Sequence, residues 1–131
     1  MKKISSFLFL LSCMLICACS TKSVFTNGES IYKTGANLQG QNMLDKNASR
    51  IKIVNSCQSC HGRNGNLMYG VSIRFSDLSD PAQYRVPYTD SLFFRFLDHD
   101  LKSDGTVANI GVIWKMNNQD KTDLLNYLKS L

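Results

Sequence analysis

The amino-acid sequence predicts an all-α fold of three to four short helices. Two stretches carry apolar residues at helical spacing directly after a capping residue, one over residues 91–99 and one over residues 118–131. A third, shorter stretch near residue 28 opens in the same way. The chain holds only two prolines, so little in its composition interrupts helices.

The first half of the chain is predicted to hold two short helices separated by a loop. Asn27 is a possible N-cap for a brief helix over residues 28–34, to which Ile31 and Tyr32 bring apolar side chains. Residues 35–47 are rich in Gly, Asn and Gln and are predicted to form a loop. A second helix is expected to run through residues 51–54 toward the cysteines that follow.

The second half contains the clearest helical patterns. Thr89 or Asp90 is predicted to cap a helix that ends near His99 and buries two leucines and two phenylalanines. Asn117 is the predicted N-cap of the last helix, whose apolar stripe ends at Leu131. Residues 66–87 and 106–116 have no clear period. The apolar residues of the first range, including Val71, Ile73 and Leu78, are expected to line either a crevice or the small core.

Length and charge limit the classes of function. The chain has 131 residues, enough for one domain, and 44% of them are hydrophobic. From residue 19 onward there are 13 Lys and Arg against 10 Asp and Glu, which leaves a mild excess of +3. These basic residues are scattered and form no run, so we expect no nucleic-acid partner.

Residues 57–61 read Cys-Gln-Ser-Cys-His, which is the C-x-x-C-H signature of covalent haem attachment. Two thiols one helical turn apart, on Cys57 and Cys60, can each form a thioether with the same porphyrin. The next residue, His61, is then carried to the iron as an axial ligand. The sequence therefore predicts one covalent haem c held by Cys57, Cys60 and His61.

Two other interpretations use the same cysteines without haem. A zinc site would need a second pair of ligands, and His99 is the only candidate after His61. A C-x-x-C redox pair would be expected in a βαβ context, which the sequence does not indicate. Both haem-free interpretations predict that replacing His61 causes little loss of fold or of colour.

Residues 1–18 have the shape of a secretory signal, with a short basic start and an apolar stretch from Phe7 to Ala18. The stretch is too short to indicate a membrane span. It ends Ile-Cys-Ala-Cys, which resembles a bacterial lipobox and implies cleavage before Cys19 and lipid transfer to the thiol of Cys19. Residues 19–27 would then be a lipidated tether, and residues 28–131 the folded domain. Lipid on Cys19 would hold the protein on a membrane surface without spanning the membrane.

The order of motifs resembles the class I monohaem cytochromes c, in particular small bacterial members. The matching pieces are Gly28 with Ile31-Tyr32, residues 57–65, Pro87-Tyr88-Thr89, Trp114-Lys115-Met116 and residues 127–131. The resemblance implies a class I cytochrome c fold wrapped around one haem, in which the first and last helices cross. Tyr32 and Tyr127 are the candidates for that contact. Trp114, with Arg74 or Arg85, is a candidate to contact the haem propionates.

The chain departs from these relatives at the distal ligand of the iron. They carry a Met-Pro pair five residues before the methionine of W-x-M, and here that register falls on Gly111, followed by Val112. In that register Met116 packs on the last helix as the hydrophobic residue before its cap and is no ligand. A re-routed loop would instead make Met116 the sixth ligand, and an open distal side is the third possibility. Met43 and Met68 are more simply gap-filling residues of the core, and His99 a surface or capping histidine.

The resemblance implies an electron carrier rather than an enzyme. The expected role is to pass single electrons between redox partner proteins of a respiratory chain, from a lipid anchor that faces the periplasm of a bacterial cell envelope. The alternative, which the missing Met-Pro motivates, is a haem protein with an open distal site for gas binding, sensing or peroxide chemistry.

Overall fold

The structure is a computed structural model, and it describes residues 25–67 and 71–131. The predicted signal segment, Cys19 and Met68 lie outside these residues. In the described residues, none of the helices is long and apolar enough to cross a membrane.

The predicted all-α class is confirmed for the described residues, which contain five helices, three isolated β-bridges and no strand. The helices are α1 (Asn27–Thr34), α2 (Cys57–His61), α3 (Phe75–Leu78), α4 (Asp90–His99) and α5 (Asn118–Ser130). Helix α5 packs against α1 and α3, and α1 packs against α2. Long connecting segments complete the body of the protein.

Helix α1 begins one residue earlier than predicted, and Thr26 caps it in place of Asn27. The hydroxyl oxygen of Thr26 accepts a hydrogen bond of 3.2 Å from the backbone N–H of Glu29. The amide nitrogen of Asn27 donates instead to the carboxylates of Asp120 and Asp123, at 3.0 and 2.8 Å. Asn27 therefore links the start of α1 to α5.

The predicted crossing of the first and last helices is confirmed. The rings of Tyr32 and Tyr127 lie with their centroids 5.1 Å apart and tilted by 49°. A Cβ atom on Gly28 would stand 1.9 Å from the backbone oxygen of Asp123, so only glycine permits this approach of the two helices. Tyr32 is fully buried.

Residues that the sequence predicted as caps do cap the N-termini of α4 and α5. Thr89 accepts a hydrogen bond from the backbone N–H of Leu92, and Asn117 accepts one of 2.8 Å from Asp120. Two ion pairs join these helices, Lys121 with Asp98 and Lys129 with Asp90. The core also contains Met43, Leu78, Phe93 and all three leucines of the α5 stripe from 124 to 128.

The helix predicted over residues 51–54 is absent, and that expectation was wrong. The backbone N–H groups of Arg50 and Ile51 both donate to the carbonyl of Gly111, at 2.9 and 3.0 Å. This long-range pairing replaces the local hydrogen bonds that a helix would need. Ile53 consequently stands 88% exposed.

Candidate functional site

Helix α2 is a single turn whose local chemistry positions the two cysteines and the histidine. Ser56 caps it in a reciprocal arrangement with Ser59, and Gly62 ends it with a φ of 68°. Cys57 is the first residue of the turn, and Cys60 and His61 are its last two. The thiols of Cys57 and Cys60 are thus three residues apart on one helical turn, and no disulfide joins them.

A cavity of about 500 Å³ opens beside α2, with Cys60 and His61 in its wall. Its volume is within the range of about 300 to 1,000 Å³ that is common for cofactor and ligand sites. Most of its wall is apolar, and the described side chains that contribute include Ile51, Ile73, Leu78, Phe93, Phe96 and Val112. This cavity is therefore the candidate site.

A second depression, of about 540 Å³, lies between α1 and α5 and is lined by residues such as Gly28, Glu29, Asp123 and Tyr127. It is open and contains none of the predicted site residues. We attach the function to the apolar cavity, because that cavity holds the histidine and one of the cysteines of the signature.

The imidazole of His61 is oriented by a backbone carbonyl. Its Nδ1 lies 3.3 Å from the oxygen of Val71, and a carbonyl oxygen can only accept, so Nδ1 carries the proton. Burial lowers the pKa of His61, which favours the neutral ring. Nε2 therefore keeps its lone pair and is available as a metal ligand.

The thiol of Cys57 is buried in the core, and burial raises its pKa to about 12. The group is therefore a protonated thiol at neutral pH. A thiol-exchange site needs the opposite, a cysteine whose pKa is lowered at the start of the helix. In the described part of the chain, no group of three or more His, Cys, Asp or Glu side chains is placed to hold a metal ion.

The side chain of Trp114 contributes to the cavity wall and carries a buried N–H group. Its indole N–H is buried and, among the described residues, has no hydrogen-bond partner. Buried donors in proteins are nearly always paired, but this nitrogen is itself shielded from solvent, so only other atoms of Trp114 face the cavity. Arg74 and Arg85, the other predicted propionate contacts, do not line the cavity, and Arg74 donates to the carbonyl of Asn64 at 2.8 Å.

The described residues that were considered for the distal position lie outside the cavity wall. The side chain of Met116 is half-buried against the hydrophobic core and is not part of the cavity wall. Met43 is 3% exposed within that core, and His99 is exposed in the last turn of α4. Among the described residues of the cavity wall, His61 is the only histidine, and there is no methionine.

Gly111, where the resemblance places a ligand methionine, has a backbone that disfavours any side chain. Its φ is 76°, a left-handed conformation that glycine adopts readily and other residues rarely do. An added Cβ would also stand 3.1 Å from Cγ1 of Ile51. The glycine is therefore a structural part of this loop.

The expected crevice residues Val71, Ile73 and Leu78 contribute to the cavity wall, whereas two specific roles were not predicted. Val71 supplies the carbonyl that orients His61, and Lys102 lines the cavity from a turn between α4 and residues 108–114. Neither belongs to a motif. Any residue type can supply a backbone carbonyl, and Lys102 lies more than forty residues from the signature.

Comparison with protein families, with curated proteins and with solved structures gave no match for this chain.

Proposed function

We propose that this protein is a monohaem c-type cytochrome that carries single electrons. The observation that carries the proposal is the geometry of His61. Its ring lies in the wall of an apolar cavity, with Nδ1 hydrogen-bonded to the carbonyl of Val71 and, among the described residues, no partner at Nε2. A histidine ligand of a metal usually donates its other N–H to such a carbonyl.

The two cysteines support covalent attachment at the same place. Each thiol would add across one vinyl group, forming a carbon–sulfur bond and passing its hydrogen to the neighbouring carbon, so no oxidant is consumed. Cys60 lies in the cavity wall, while Cys57, one turn earlier, is in the adjoining core. The addition needs both thiols in the reduced state, and no disulfide joins Cys57 and Cys60.

The remaining walls fit the porphyrin of a haem. Aliphatic and aromatic side chains, Trp114 among them, would cover its faces. When bound, the haem supplies an iron that alternates between the ferric and ferrous states. The protein would set its reduction potential through burial and axial ligation.

We further propose that the protein is tethered through lipid on Cys19 and faces the periplasm. The basis is the lipobox-like sequence before Cys19. The partners would be redox proteins at the same membrane, and the mild positive charge of the mature chain would favour acidic ones.

Covalent attachment is tested on the full-length protein, produced in cells that mature c-type cytochromes. The polypeptide should retain its haem after denaturation and acid–acetone extraction. Cys57→Ser and Cys60→Ser should each weaken this retention, and the double variant should abolish it. Gln58→Ala, between the two cysteines, is the matched control and should leave it intact.

His61→Ala and His99→Ala separate axial ligation from attachment. The first should change the spectrum of the haem strongly and the second should not, because His99 is exposed and outside the cavity wall. A wild-type protein without covalent haem would overturn the proposal. Thiol exchange or metal binding at Cys57 and Cys60 would then be the function to test.

A second candidate function is the binding of a gas or peroxide at an open iron position. The observation that favours it is the left-handed Gly111 where a ligand methionine is expected. Carbon monoxide distinguishes the two, because a ferrous electron carrier with a firm sixth ligand resists it. Rapid and complete binding by the wild-type protein would favour the second function.

A further inference from the structure

We propose that the ε-amine of Lys102 is the sixth ligand of the haem iron. This inference rests on the proposed function, because it needs a haem in the cavity beside α2. It assigns the distal position to a residue outside every recognised motif.

A tight turn after α4 brings Lys102 to the cavity. Leu101 pairs with Val107, and the backbone N–H of Lys102 donates to the carbonyl of Thr106 at 2.8 Å. The chain then continues through Ala108, which contributes to the cavity wall together with Lys102. The lysine thus enters from the segment that precedes Gly111, and His61 enters separately from α2.

The amine of Lys102 differs from the other lysine amines in its surroundings. In the described residues, Nζ of Lys102 makes no hydrogen bond and no ion pair. Every other described lysine has at least one such contact: Lys33, Lys46, Lys52, Lys115, Lys121 and Lys129. Lys102 is an exposed residue, and among the described lysines its amine is the one that contacts no other described residue.

The competing donors in the described wall are weaker candidates. Tyr84 and Tyr88 line the cavity, but burial raises the pKa of both phenols, which holds them in the protonated form that binds iron poorly. Among the described wall residues there is no methionine, and the one histidine is already assigned. The amine of Lys102 is the strongest uncommitted donor that remains.

The coordination step is chemically simple. The ε-ammonium group releases one proton to solvent, and the lone pair of the neutral amine forms a dative bond to the iron. No electron is transferred and no co-reactant is needed. The bond would close the sixth position and make the site suited to electron transfer rather than to ligand binding.

The test compares full-length wild-type protein with Lys102→Ala and Lys102→Arg after covalent haem content has been matched. Spin state is read by absorption and electron paramagnetic resonance, and carbon monoxide affinity by titration of the ferrous form. Arginine keeps the positive charge, but its guanidinium does not lose a proton in proteins and cannot coordinate iron. We expect a low-spin wild type, whereas both variants gain a high-spin ferric signal.

The apparent affinity for carbon monoxide should rise by about tenfold or more in both variants, because the competing internal ligand is removed. Met116→Ala and His99→Ala should retain the wild-type spin state. The spin states of these two variants are the control for nonspecific disturbance of the haem pocket.

Several results would overturn the assignment. A low-spin Lys102→Ala protein would show that another group binds the iron. A Lys102→Arg protein that behaves as wild type while Lys102→Ala does not would show that the lysine acts through its charge. A high-spin wild type would show an open position. Absence of covalent haem from the wild type would instead overturn the proposed function, and the ligand assignment with it.

Discussion

The hydroxyl group of Tyr32 donates a hydrogen bond of 2.5 Å to the backbone carbonyl of Gly62, the residue after the proposed ligand His61. Tyr32 lies on α1, thirty residues earlier, and its side chain is fully buried. Burial raises its pKa to about 12, so the phenol stays a donor throughout the neutral range. Helix α1 is thereby attached to the end of the turn that carries the signature.

Tyr32→Phe should lower the free energy of unfolding by about 1 to 2 kcal/mol, because a buried carbonyl loses its main hydrogen bond. Urea unfolding of the full-length protein measures the loss. Tyr127→Phe is the matched control, since its hydroxyl makes no hydrogen bond within the described residues. Equal effects of the two substitutions would contradict a specific role for the Tyr32 bond.

Gly28→Ala should destabilise the protein by about 2 kcal/mol or more, although alanine favours a helix over glycine. The added methyl group would overlap the backbone oxygen of Asp123, and backbone cannot move aside without separating α1 from α5. Gly105→Ala is the comparison, because a Cβ there meets nothing within 4 Å and only its φ of 87° is unfavourable. Thermal unfolding should rank Gly28→Ala as clearly the more damaging.

The two ion pairs between α4 and α5 should differ in their contribution to stability. Lys121 is buried, with 7% of its side chain exposed, whereas Lys129 is 39% exposed. Asp98→Asn leaves the buried ammonium group of Lys121 without its carboxylate. The free energy of unfolding should fall by about 1 to 2 kcal/mol, and by no more than that because Asp98 is partly solvated.

Asp90→Asn removes the exposed pair and should cost less than about 1 kcal/mol. Lys121→Met in the Asp98→Asn background should recover most of the loss, since no buried charge then remains. Urea unfolding of these variants in low and high salt measures the stability losses. A larger loss for Asp90→Asn than for Asp98→Asn would show that burial is not the deciding factor.

Asp45 should contribute to the acid sensitivity of the fold. Its carboxylate lies 2.9 Å from Nζ of Lys115, and this contact, together with the backbone N–H of Ala48, lowers its pKa from 3.8. Because the folded pKa is the lower one, the stabilisation is fully present well above pH 3.8 and is lost progressively as the pH falls through the folded value. Asp45→Asn should flatten the decline of the unfolding midpoint between pH 5 and about pH 2. An unchanged slope would contradict this.

Helix ends were predictable where one capping residue had no competing role. Asn117 and Thr89 cap α5 and α4 as expected. At α1 two adjacent residues could cap, and the amide of Asn27 is used by the carboxylates of α5, which leaves the cap to Thr26. A partner more than ninety residues away decided that boundary.

The short helix α3 and the extended course of residues 51–54 were not predictable. Helix α3 has four residues and no side-chain cap, so its sequence carries almost no helical signal. Ile51 pairs through its backbone with Gly111, and apolar residues near it resemble a helix segment only when that partner is ignored.

The sequence by itself determined the all-α class, the caps of the two longest helices and the one-turn spacing of Cys57, Cys60 and His61. These depend on interactions within about four residues, which a linear pattern contains. The tertiary structure decided that Nδ1 of His61 is hydrogen-bonded to the carbonyl of Val71, and that, in the described part of the chain, Lys102 rather than Met116 lines the cavity. Such choices depend on contacts between segments far apart in the chain, where packing and burial set the outcome.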